Sequence, residues 1–80
     1  MSLHIADGII RIEGNATVED AEPILAALID RPDTAVDVGH ALRMHSAVVQ
    51  LLIALRPRIV GRPADAFLSA YIFPMLDAGQ

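Results

Sequence analysis

Eighty residues suffice for one domain, 1–80, with one core, and a chain this short that is 54% hydrophobic, with mean hydropathy +0.47, is expected to leave an apolar patch for a partner or a second copy. The absence of cysteine excludes a disulfide framework, thiolate chemistry and zinc–thiolate sites. Net charge is −4 but segregated: residues 1–37 hold eight acids against Arg11 and Arg31, net −6, and residues 38–80 hold Asp65 and Asp77 against Arg43, Arg56, Arg58 and Arg62, net +2, with no basic stripe of the kind nucleic acid requires.

Met1-Ser2-Leu3-His4 offers neither a basic start nor an apolar run, so no secretory leader is expected and the setting is expected to be cytoplasmic. Asp7-Gly8 lies between two β-type stretches, 3–6 and 9–13, and supplies the positive φ values of a two-residue hairpin turn. Counting outward opposes Ala6 to Ile9, Ile5 to Ile10, His4 to Arg11 and Leu3 to Ile12. The Leu3, Ile5, Ile10 and Ile12 side chains then share one face.

Gly14-Asn15-Ala16 is expected to break the second strand. Thr17, followed three residues later by Asp20, has the form of a capping box, with Asp20 a rival cap, and a helix is expected from about Val18 to Asp30. Pro23 favours a start nearer Asp20, and Ile24, Leu25, Leu28 and Ile29 are expected to form the buried stripe. Ala35 to Val38 reads as a short strand, and 39–44 as a crossing loop.

A second helix is expected over Ser46 to Leu55, stopped at Arg56 by Pro57. Its apolar run, 47–55, contains Gln50 and is far shorter than the roughly 20 residues a bilayer crossing needs. Val48, Leu51, Leu52 and Leu55 should face the sheet, leaving Val49 and Ile53 either beneath the last helix or open to a partner, with Arg56 as a polar rim. Arg58-Ile59-Val60 reads as a further strand. A last helix over 64–73, begun by Pro63 and ended by Pro74, carries more apolar groups than one stripe can bury, and Tyr71 is its best dimer anchor by residue type.

This order gives an α/β fold: an N-terminal β-hairpin followed by β-α units, forming a small, mainly parallel sheet with right-handed crossovers. Arg11, Asp37 and Arg58 would share the outer face as an alternating charge row, which argues for helices on one side only.

No catalytic set is visible. His40 and His45 are five apart, His4 lies elsewhere, and none pairs with a carboxylate at a helical metal spacing, so neither a metal nor another cofactor is expected. His45 precedes Ser46, but no Gly-x-Ser-x-Gly surrounds it, and the turn glycines form no phosphate cradle. Ser46, at the change from loop to helix, reads as an N-cap. It also suits phosphorylation, because a phosphate there would meet free amides and the helix dipole while charging an apolar contact surface.

The stretch Ala35-Val36-Asp37-Val38, then Gly39 to His45, then Ser46-Ala47-Val48-Val49-Gln50-Leu51-Leu52 resembles the central segment of STAS domains, the bacterial anti-sigma-factor antagonists, in degenerate form. There an apolar strand with an Asp leads through a short loop into Asp-Ser-Ser-Gly-Leu and an apolar helix. The resemblance spans roughly residues 3 to 73, and the family's last strand and helix have no counterpart within 1–80. His45, Ala47 and Val48 stand where that motif carries its acid, second serine and glycine. The resemblance implies a non-enzymatic binding module in signal transduction, whose partner is an anti-sigma kinase or a signalling scaffold. Ser46 matches the serine such a kinase phosphorylates. The partner surface would comprise His45, Ser46, Val49, Gln50, Ile53 and Arg56. The alternative is a structural homodimer or assembly subunit using the apolar last helix.

Overall fold

A computed structural model describes residues 3–77. Met1 and Ser2, part of the stretch read for a leader, and 78–80, the end of the 1–80 domain, lie outside the described residues. The hairpin has the expected register: β1, Leu3–Ala6, pairs antiparallel with β2, Ile9–Ala16, through Leu3–Ile12, His4–Arg11, Ile5–Ile10 and Ala6–Ile9. Asp7 and Gly8 have φ of 54° and 75°, the paired positive values of the turn.

β3, Ala35–Met44, lies parallel to β2, and β4, Arg58–Val60, lies parallel to β3, giving the sheet order β1-β2-β3-β4. Each crossover joins adjacent strands in one direction, so right-handed connections place α1, Val18–Asp30, and α2, Ser46–Leu55, on the same face. Ile10, Ile12, Val36 and Val38 meet Ile24 and Leu28 of α1 and Val48 and Leu52 of α2 in one core. Full burial of each large side chain stabilises by about 1.5–3 kcal/mol.

Several expectations need correction. The Gly14-Asn15-Ala16 segment does not end β2, nor are residues 39–44 a loop: β2 runs to Ala16 and β3 to Met44, pairing Gly14 with Ala41 and Ala16 with Met44. Two register shifts, between Arg11 and Glu13 and between Gly14 and Asn15, each place an extra residue on β3. That interruption hides the strand's two-residue period. α1 starts at Val18 despite Pro23, because the Asp20 carboxylate accepts the Thr17 amide proton at 2.8 Å and fixes the first turn. Its buried stripe is Ile24 and Leu28; Leu25 and Ile29 are exposed. Leu55 is likewise exposed, since it lies at the end of α2.

The charge row is also rearranged. Arg58 stands beside Ala35, whereas the β4 neighbour of Asp37 is Val60. Arg11 instead lies 3.8 Å from both Glu13 and Asp37, and His4 lies 3.3 Å from Glu13. These exposed pairs add little stability but keep this face polar.

The last helix differs most. It is a π-helical segment, Leu68–Ile72, running into α3, Phe73–Asp77, so Pro74 lies within the helix and does not end it. The Phe73 amide bonds the Leu68 carbonyl five residues back. A proline ring collides with the carbonyl four residues before it in a regular helix, and the widened turn relieves that collision.

Candidate functional site

β3 passes into α2 through one residue. The His45 amide donates to the Ala16 carbonyl at 2.9 Å, tying the joint to the end of β2, and the His45 carbonyl accepts from Val48 and Val49. His45, not Ser46, is the N-cap: its Nδ1 accepts the Ala47 amide proton at 3.0 Å. Ser46 is the first helical residue, and exposed. The expectation that it caps α2 is therefore corrected by one residue, because β3 reaches Met44 and leaves only His45 in a non-helical conformation.

The α2 backbone thereby engages Nδ1 of the imidazole. Asp37 belongs elsewhere, held by the Gly39 amide at 2.8 Å.

Beside this joint, at the carboxyl ends of parallel β2 and β3, lies a cleft of about 380 Å³. Such ends of parallel strands are where α/β sheets receive ligands. One wall is Ala16 with the run from Leu42 to His45; the other is Asp65, Phe67, Leu68 and Ile72. The Asp65 carboxylate accepts the Leu68 amide proton at 3.1 Å and starts the helical wall. Leu42 and Phe67 are both more than half exposed. Among the described residues the Arg43 side chain has neither an ion pair nor a hydrogen bond. The site combines an apolar lining with one unpaired cation.

Of the residues expected to meet a partner, Ser46, Gln50 and Ile53 form an exposed face at i, i+4 and i+7 of α2. Val49 does not belong with them: at 8% exposure it is part of the core, because α2 packs on the last helix as well as on α1. Arg56 lies just past α2, exposed, in the left-handed conformation at φ 51°. Tyr71 is 66% exposed and its ring stacks at a tilt on Phe67, 5.3 Å between centroids. Leu42 and Arg43 lie in the stretch expected to be a loop, and Phe67 is one of the apolar residues by which the last helix exceeds a single stripe. Recognition of 39–44 as a strand would have found the first two.

Among the described residues no group of three or more His, Asp or Glu side chains gathers as a metal site would require. Among the described residues no helix is long and apolar enough to cross a membrane. No protein-family model matches the chain, and neither a curated protein nor a solved structure matches it.

Proposed function

We propose that the chain is a non-enzymatic protein-binding module of the anti-sigma-factor antagonist type, docking a regulatory protein on the surface around the start of α2. The observation that carries this reading is the cleft beside the β3–α2 joint, with Leu42 and Phe67 exposed at its walls and the Ser46 hydroxyl exposed next to His45. An apolar side chain of the partner enters the cleft, while Arg43, Gln50 and Ile53 form the rim. The partner class is an anti-sigma kinase or a signalling scaffold.

Ser46 is the proposed switch. A phosphate at the first helical residue adds about −1.5 to −2 charges and gains from the helix dipole, yet it charges the border of an apolar contact. Phosphorylation therefore releases the partner.

The test is affinity capture from native extract with wild-type, Leu42→Asp and Ser46→Glu baits, followed by direct titration of the captured protein onto purified chain and intact-mass analysis of the native protein. Binding by the wild type that both substitutions abolish, while the fold persists, supports the surface. Equal titration by folded Leu42→Asp places the contact elsewhere, and equal binding by Ser46→Glu removes the switch.

A further inference from the structure

At the amino ends of β2 and β3, away from the β3–α2 joint, the hairpin turn and the end of α1 enclose a second cleft, of about 360 Å³. Backbone bonds hold its walls together. The amide of Ala35, the first residue of β3, donates to the Gly8 carbonyl at 3.0 Å, and the Thr34 amide donates to the Arg31 carbonyl at 3.0 Å. Ile5, Ile9 and Ala27 give the cleft an apolar side. Its polar side is formed by Asp7, Asp30, Arg31 and Thr34.

Thr34 is the residue that calls for a ligand. It is the one polar side chain that the fold buries among the described residues, at 4% exposure, and its hydroxyl has no hydrogen-bond partner there. Among these residues no side-chain oxygen is both sealed from solvent and unpartnered, so the Thr34 hydroxyl oxygen keeps an opening, and the cleft is what it lines. A hydroxyl held in this way has lost most of its water and gained no partner.

The surroundings set the charge of that ligand. Asp7 and Asp30 are exposed, and among the described residues neither has an ion pair or a side-chain hydrogen bond. The last turn of α1 contains no basic residue, so the carbonyls and dipole at its carboxyl end add to the negative potential. Arg31 is the opposing charge in the lining, which leaves two carboxylates against one guanidinium. A primary ammonium offers three N–H donors, matching two carboxylates and a hydroxyl, and an alkyl body suits the apolar side. A divalent metal ion fits less well, because it asks for roughly six or more oxygens.

We propose that this cleft binds a primary alkylammonium group, with Asp7, Asp30 and Thr34 accepting its N–H bonds and Ile5, Ile9 and Ala27 packing on its hydrocarbon. The group comes from a free small amine or from a lysine side chain of another protein. This site is separate from the cleft beside the β3–α2 joint and does not depend on the function proposed for it.

The test is an NMR titration of the full isotope-labelled chain at low salt with n-butylammonium. Butyrate, tetramethylammonium and calcium serve as controls for charge, for N–H donors and for an inorganic cation. Saturable shifts at the Asp7, Gly8, Arg31 and Thr34 amides are expected with butylammonium alone. Asp7→Asn, which suits the left-handed turn position, and Asp30→Asn are each expected to weaken binding more than about fivefold. Thr34→Val is expected to weaken it by about the same factor while raising the melting temperature, since the free chain loses an unpartnered hydroxyl. Putrescine and Nα-acetyl-lysine amide then assign the source: tighter binding of the diamine indicates a free amine, and tighter binding of the lysine derivative a protein side chain. No saturable shift, equal shifts with butyrate or tetramethylammonium, or tighter binding of calcium overturns the proposal. So does undiminished binding by Thr34→Val, above all if its melting temperature falls, which is the result for a hydroxyl that serves the fold.

Discussion

The Asp37 carboxylate occupies the space that a side chain at Gly61 would need: a Cβ built there stands 2.7 Å from Asp37 Oδ1 and 2.8 Å from the Gly39 nitrogen. Gly61 also has φ of 78°, and it follows directly on β4. Gly61→Ala therefore meets both a backbone and a contact penalty, whereas Gly8→Ala, at φ 75° with no atom within 4 Å of the new Cβ, meets the first alone. Gly8→Ala is expected to destabilise by about 1 kcal/mol and Gly61→Ala by about 2–3 kcal/mol or more, read from urea midpoints at constant m. Equal losses would show that β4 shifts freely to make room.

The assignment of the α2 cap separates two neighbouring residues. His45→Ala removes the acceptor of the Ala47 amide proton and is expected to cost about 1 kcal/mol, which His45→Asn recovers. Ser46→Ala, one position into the helix, is expected to change stability by less than about 0.5 kcal/mol. A larger loss at Ser46 than at His45 in thermal melting would reverse the assignment.

Val49 and Ile53 lie one turn apart on α2 and answer differently to the same substitution. Val49→Asp places a charge in the core and is expected to unfold the chain, while Ile53→Asp, at 36% exposure, is expected to leave the circular dichroism spectrum and cooperative melting intact. If the chain is the binding module proposed above, Ile53→Asp also weakens partner binding. A folded Val49→Asp protein would mean that the last helix does not seal α2.

Arg56 carries a left-handed backbone that glycine adopts without steric penalty, and its amide already donates to the Leu52 carbonyl. Arg56→Gly is expected to raise stability by about 0.5–1 kcal/mol, seen as a higher melting temperature. A fall would show that the arginine side chain contributes more than its backbone costs.

Much of the fold was legible because its signals are local. Asp7-Gly8 set the register of all four hairpin pairs, and Thr17 with Asp20 marked the start of α1. The extension of β3 was not legible, since its two extra residues relative to β2 destroy the alternation by which a strand is recognised. The burial of Val49 depends on the last helix, and the path of that helix through Pro74 depends on a π turn with no short-range signature. The cap of α2 lies one residue before its expected place, at His45 and not Ser46, and the far wall of the cleft has no signal in residue spacing. Leu42 and Phe67 meet across the cleft only after the chain has folded.

The widened turn at Leu68–Ile72 also sets the rotational phase of everything that follows it. Leu68 and Leu76 are both buried, yet eight residues of regular α-helix would turn them about 80° apart. One residue's worth of rotation, about 100°, is absorbed in the π segment, which brings the two leucines to within roughly 20° of each other. A one-residue deletion inside this segment would shorten the chain by a single link and restore an ordinary helix. Seven residues of regular helix again set the two leucines about 20° apart, so Leu76 keeps its place in the core, and what the deletion removes is the widened turn that accommodates Pro74.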